Sequence, residues 1–322
     1  MNMQRSHYGS GFYSSAGAAL ALGCAIYAGW FAIGDPDLGL HLAVGKYMGE
    51  HVAFPATDPF TYSTTKQAFI NFEWGFDYAI YALYNMAGPA GLLVAKLLII
   101  AAMVLLILKL AESLLPEKPG LSRWFSALVL VAALPVLRMR LVERPHLVGF
   151  LFLLGHLCMA RTLANNSQHF GRRAAQIGLI ASIPIWTAFH GSWPLALAVT
   201  GAHGLFNRAQ RKSFVMIFVL QIVAAAINPY GFSLLMVPFR HLGSSEVGTF
   251  ITEWMRPELN LYPSHIPIII TLGACFILCV LFIRNKRDAP EILVAIALMV
   301  LATRSYRFIS PALLVAAAPI GA

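Results

Sequence analysis

Asp35, Asp37 and His41 stand close together in the stretch GDPDLGLH, directly after the first long apolar run. Asp35 suits a helix N-cap and Pro36 a first helical position, which predicts a surface helix over 36–50. In such a helix Asp37 and His41 are one turn apart and share a face. Two readings fit. In one, Asp35 caps the helix, Asp37 answers its dipole and His41 is polar surface. In the other, Asp35 or Asp37 is a general base, or Asp37 and His41 are ligands of a divalent metal such as Mg or Mn.

Glu73 extends the second reading. It lies between Phe72 and Trp74 at the entry to an apolar stretch. Burial there would raise its pKa into the range of a proton-transfer group. Asp58 lies in a Thr-Asp-Pro sequence and reads as a turn.

Cations complete the candidate set. Arg138, Arg140 and Arg144 stand in LRMRLVERPH, and Arg304 and Arg307 in ATRSYRFISP. The guanidinium fork suits phosphate. The alternative is pairing with nearby acids, or snorkelling to headgroups. His190, in AFHGSWP, is either a packed polar side chain or a ligand-binding one.

These residues need elements to hold them, and the composition specifies helices in a bilayer. Of 322 residues, 58% are hydrophobic and 11% charged, against about 25% charged in soluble domains. We expect an all-α polytopic transmembrane helix bundle of about nine or ten spans, forming a single domain over 1–322. Spans are predicted near 15–33, 89–110, 123–137, 146–162, 174–189, 191–206, 213–228, 266–284, 289–303 and 307–322. An amphipathic stretch, 75–87, precedes the second. The first run lacks a clean small-residue cleavage site and reads as an uncleaved helix.

The net charge of +9 does not point to nucleic acid, because the cations cluster in short loops. Lys118, Arg123, Arg161, Arg172, Arg173, Arg208, Arg211, Lys212, Arg284, Lys286 and Arg287 fall on one side, which marks it as cytoplasmic. The N-terminus falls there too. Ten of the fourteen acidic residues fall on the other side, leaving Glu112, Glu117, Asp288 and Glu291 inside. The outer side has two long loops, 34–75 and 229–265, the second carrying Arg240, His241, Glu253, Trp254 and Arg256. The four cysteines, Cys24, Cys158, Cys275 and Cys279, lie in apolar runs and read as buried hydrophobes.

The ordered motifs resemble a bacterial group related to the GT-C superfamily of membrane glycosyltransferases, which includes protein O-mannosyltransferases. They are D-P-D with His41, F-P-x-x-D-P-F, F-E-W, Arg144-Pro145, His190-Gly191, Asn228 to Gly231, and Arg304 to Phe308. The resemblance implies a GT-C-like fold with surface helices in the first outer loop. It implies transfer of a sugar from a polyprenyl-phosphate carrier at the periplasmic face of the inner membrane. Asp35 or Asp37 would be the essential acid; Glu73 stays a catalytic candidate on its own surroundings. Arg138, Arg140, Arg304 and Arg307 would hold the carrier phosphate. His41 and His190 are substrate-binding candidates by their own positions. Members commonly continue with more spans or a soluble domain, whereas this sequence stops at Ala322.

Two other functions fit the residues. One is a non-catalytic membrane subunit that assembles with protein partners. The other is a transporter, for which Lys96 inside an apolar helix is the main candidate.

Overall fold

The computed structural model describes residues 3–60, 69–165, 169–243, 251–257, 266–281 and 288–322. Side chains of residues 3–14 and 241–243, and of His169, Ile268, Cys275 and Cys279, lie outside that description. Of the side-paired loops, Arg284, Lys286 and Arg287 lie outside it as well.

Helices follow the apolar runs. They are α1 (Met3–Gly29), α2 (Leu38–His51), α3 (Trp74–Leu114), α4 (Pro119–Leu137), α5 (Pro145–Asn165), α6 (His169–Phe189), α7 (Pro194–Phe206), α8 (Arg211–Ala225) and α9 (Phe232–Gly243). After these come α10 (Ile266–Leu281), α11 (Ala289–Ala302) and α12 (Ile309–Gly321). Short 3₁₀ turns occupy Arg138–Arg140, Thr252–Trp254 and Tyr306–Phe308.

Proline sets several starts. Pro119, Pro145, Pro194 and Pro290 stand in the first turns of their helices, where a missing N–H costs nothing. Within α3, Gly88 adopts φ 59° and ψ −157° directly before Pro89. The helix therefore breaks there into a first segment and a longer apolar one, as the sequence boundary at 88 predicts. The surface helix α2 begins at Leu38, two residues later than expected, and Pro36 lies outside it. Asp35 does not cap α2; its Oδ1 instead accepts the Asp37 backbone N–H at 2.9 Å.

Among the described residues, three helices are long and apolar enough to cross a membrane: Trp74–Leu114, Pro119–Arg140 and Pro145–Asn165. Five more apolar helices among the described residues are shorter, including Pro194–Phe206 and Ala289–Ala302. The expected nine or ten spans are thus not all long by themselves. Turn residues trim them: α7 starts at Pro194 and closes at Asn207, leaving 13 residues, or about 20 Å against a hydrocarbon core of about 30 Å.

The core runs along α12, whose residues from Ala312 to Ala318 are 0–4% exposed. Small side chains let neighbours approach: at Gly321 an added Cβ would overlap Ser126 of α4. Close packing of small residues is what brings helices together in lipid. The turns that follow α1, α4, α6 and α11 gather at one end of the bundle. The cation-rich connections after α3, α5 and α7 gather at the other.

Candidate functional site

A cavity of about 420 Å³ opens at the first of these ends. Asp37, His41, Glu73, Arg140, Arg144, His146, His190, Glu253, Trp254 and Arg307 line it. They come from the start and body of α2, the turn before α3, the 3₁₀ turn after α4, the mouth of α5, the α6–α7 turn, the 252–254 turn and the 306–308 turn.

Arg144 ties the first loop to the later segments. Its Nε donates to Asp35, its Nη2 lies 2.8 Å from Asp37 and its Nη1 lies 3.6 Å from Glu253. The Asp35 side chain is 2% exposed and that of Asp37 is 56% exposed. Asp35 is thus consumed in an ion pair behind the cavity, while Asp37 reaches into it. Burial works against the Arg144 cation, but these carboxylates more than offset it and raise its pKa.

His41 is held from behind. Its Nδ1 lies 2.6 Å from Asp77 Oδ1, and Asn71 donates to Asp77 Oδ2 at 2.7 Å. Gly45 makes this approach feasible, since a Cβ there would overlap the Asp77 carbonyl. Burial disfavours the imidazolium, yet the bond and charge of Asp77 raise the His41 pKa above its ordinary value. Asn71 Oδ1 accepts the Glu73 backbone N–H at 3.0 Å, so one asparagine orients both groups.

Glu73 behaves as the sequence suggests. Burial lifts its carboxyl to about 7, partly opposed by the positive fields of His41 and Arg307. Its Oε1 lies 3.9 Å from His190 Nε2, beyond hydrogen-bond reach.

His190 accepts from Arg307 Nη2 at 2.9 Å through Nε2. The guanidinium can only donate, so Nε2 accepts, while Nδ1 lies 2.6 Å from Ser192 Oγ and 3.2 Å from the Ser192 backbone nitrogen. Burial, reinforced by Arg307 and Arg140, holds His190 well below its ordinary pKa and keeps it neutral. Gly149 admits this turn, because a Cβ there would lie 2.7 Å from His190 Nδ1 and Ser192 Oγ.

Glu253 receives three cations. Arg140 Nη1 lies 2.5 Å from it, Arg144 Nη1 3.6 Å and Arg307 Nη1 3.7 Å. Burial would raise its pKa, but Arg140, Arg307 and Arg144 together hold it below the usual carboxylate value.

Of the residues expected at a site, the fold brings together Asp37, His41, Glu73, Arg140, His190 and Arg307. It sets Asp35 behind Arg144. Arg138 and Arg304 are exposed and do not line the cavity. Arg138 instead lies 5.5 Å from the Phe31 ring centre. Sequence reasoning missed Asp77 and Asn71, which carry no motif, and did not single out Glu253 from its long segment. Among the described residues no group of three or more His, Cys, Asp or Glu side chains could hold a metal ion. Asp37 and His41 are engaged by Arg144 and Asp77 instead, so the expected metal pair does not fit one.

Lys96 does not stand alone in its helix: its Nζ lies 2.6 Å from Glu143 Oε1, with both side chains 3% exposed or less. At the opposite end, Arg161 pairs with Asp288 at 2.7 Å and with Glu291 at 3.6 Å.

The fold is similar to that of two solved structures. One is an oligosaccharyltransferase of Archaeoglobus fulgidus in its apo form, with a TM-score of 0.70 and 12% identity over 97% of this chain and 50% of that one. The other is the archaeal oligosaccharyltransferase AglB of Archaeoglobus fulgidus, in complex with an inhibitory peptide and a dolichol-phosphate. Its TM-score is 0.67, at 12% identity over 98% of this chain and 50% of that one. This chain spans about half the length of each. The likeness is one of fold, and it is the GT-C-type fold that the motifs lead one to expect. No protein-family model and no curated protein matches the sequence.

Proposed function

We propose that this protein is a membrane glycosyltransferase that moves a sugar from a polyprenyl-phosphate carrier to an acceptor at the periplasmic face of a bacterial inner membrane. The observation that carries this reading is one cavity in which Asp37, His41 and Glu73 face Arg140, Arg144 and Arg307. It lies at the end of the bundle away from the loops that hold most cations. In this reading the shorter apolar helices also cross the bilayer, giving nine or ten passes within one domain, with the N-terminus cytoplasmic.

Glu73, with a pKa near 7, is the proton acceptor. It takes the proton of an acceptor hydroxyl or amide as that atom bonds to the anomeric carbon. The bond between anomeric carbon and phosphate oxygen breaks, and the phosphate keeps the electron pair. Arg140 and Arg307 stabilise the charge that grows on that phosphate, in a site shielded from bulk water. Asp37, oriented by Arg144, and His41, oriented by Asp77, hold the sugar hydroxyls. The apolar members of the cavity wall, including Leu195, Val237 and Leu301, suit the first isoprene units.

The test is depletion of polyprenyl-phosphate-linked sugar from a bacterial lipid extract by the protein in membranes. Glu73→Gln is expected to lower the rate by at least about a hundredfold, the usual weight of a general base, and Asp37→Ala to lower it through lost sugar binding. Full activity in both rejects the reading.

A specific observation favours a second reading, a non-catalytic assembly subunit: Arg144 neutralises both Asp35 and Asp37. Stoichiometric co-purification with a membrane partner, undisturbed by Asp37→Ala and Glu73→Gln, would support it. Transport loses its main motive, since Lys96 is paired with Glu143.

A further inference from the structure

Three guanidinium groups converge on a single carboxylate, and the fit is incomplete. Arg140 is in hydrogen-bond contact with Glu253 at 2.5 Å, whereas Arg144 and Arg307 stand off at 3.6 and 3.7 Å. Each of the distant cations is braced elsewhere. Arg144 is fixed by Asp35 and Asp37. Arg307 is fixed by His190 at 2.9 Å and lies over the Trp254 ring, 4.8 Å from its centre. They do not close onto Glu253, so the nest keeps a spacing wider than one carboxylate fills. A phosphate presents oxygens in three directions where a carboxylate presents two in a plane, and it carries more charge.

We infer that Arg140, Arg144 and Arg307 form a receptor for a phosphomonoester anion, and that the Glu253 carboxylate is its internal occupant, displaced when the anion binds. This rests on the reading of the cavity as a carrier-phosphate site and adds a built-in competitor to it. Only the side chain needs to move. The backbone at and just after it is pinned, with the Glu253 carbonyl accepting from Ser305 Oγ at 2.9 Å and the Met255 carbonyl accepting from Tyr306 N–H at 3.1 Å. With Glu253 in place, an incoming phosphate meets a like charge. With it displaced, binding costs the Arg140–Glu253 pair. Either way the empty nest stays satisfied, and affinity for the anion is held down.

The experiment measures binding of farnesyl phosphate and of inorganic phosphate to the full chain in phosphatidylcholine nanodiscs. Wild type is compared with Glu253→Gln, whose amide can still accept from Arg140. Removing the competing charge is expected to tighten the Kd for farnesyl phosphate about tenfold. Tightening for inorganic phosphate as well identifies the phosphoryl group alone as the ligand. Tightening confined to farnesyl phosphate identifies a lipid-borne one. Either result supports the occupant. A wild type that binds, with a Glu253→Gln variant that binds equally or more weakly, overturns the occupant and leaves the carrier-phosphate reading standing. Failure of both proteins to bind either probe overturns both. Should Glu253→Gln fail to fold, Glu253→Asp replaces it, because its shorter carboxylate withdraws from Arg140. It is expected to bind about threefold more tightly than wild type, and equal or weaker binding again overturns the occupant.

Discussion

His41 Nδ1 lies 2.6 Å from Asp77 Oδ1, and the second oxygen of that carboxylate is held by Asn71. The two partners are 36 positions apart in sequence. Their contact converts an exposed-looking histidine of a surface helix into an oriented group with a raised pKa. Asp77→Asn is expected to lower the His41 pKa, because burial then acts unopposed by its strongest carboxylate partner; the charges of Glu73 and Asp37 remain. NMR titration of histidine-labelled protein in detergent reads this shift. The same substitution should cost about 1–3 kcal/mol of stability, the weight of a disrupted buried hydrogen bond.

Glu73 makes a prediction about pH. Its folded pKa of about 7 stands above the ordinary 4.5, so the folded state binds more protons than the unfolded state between those values. Stability contributed by this group is complete below pH 4.5 and falls as pH rises through 7. Glu73→Gln should therefore raise the unfolding temperature relative to wild type more at pH 8 than at pH 5. Activity should run the other way, rising as pH passes 7 and the base ionises. A profile in which Glu73→Gln changes neither trend would be inconsistent with this environment.

Lys96 and Glu143 form a pair shut off from solvent. Removing one partner leaves a buried charge uncompensated, at a cost of about 3–5 kcal/mol. Glu143→Ala and Lys96→Ala should each destabilise the protein by that order. Lys96→Met combined with Glu143→Leu should recover most of the loss. Thermal unfolding of wild type and these three variants in one detergent checks both expectations. Because Glu143 precedes Arg144, the single variants should also loosen the Arg144 bridge.

Asp35 and Asp37 are predicted to separate by role. Asp35→Asn removes a charge whose side chain is 2% exposed, and should cost about 1–3 kcal/mol. Asp37→Asn acts on a side chain that is 56% exposed, and should cost less than about 1 kcal/mol. In transfer assays the order should reverse, with Asp37→Asn the more damaging because Asp37 lines the cavity. Arg144→Lys should weaken the loop attachment although it keeps the charge, since an ammonium cannot reach three carboxylates in the geometry of a fork.

Much of the fold was legible in order along the chain. Apolar runs marked the helices, and the boundary at Pro89 was read directly, whereas the helix expected from 191 starts only at Pro194. The GDPD motif and Glu73 were legible as site candidates because acids are conspicuous beside apolar runs. The choice among arginines was not. Arg138–Arg140 is a 3₁₀ turn, with about three residues per turn, so residues two apart point in different directions. Arg140 turns to Glu253 and Arg138 to Phe31. A helical continuation, with a different pitch, would have aimed them otherwise. Arg304 and Arg307 separate in the same way, across a turn whose direction depends on the docking of Met255 onto Tyr306.

Composition alone determined that this chain is built of membrane-type helices, because 11% charged residues cannot cover a water-facing surface. Local spacing determined which helices form and which loop carries the acids, because helix periodicity and proline geometry act over only a few residues. The tertiary structure decided which groups meet: Asp77 with His41, Arg144 with Asp35 and Asp37, and Glu253 with Arg140 across 113 positions. Those pairings depend on how the bundle brings distant turns to one end; for Asp77 and His41, the absence of a Cβ at Gly45 lets the two helices touch.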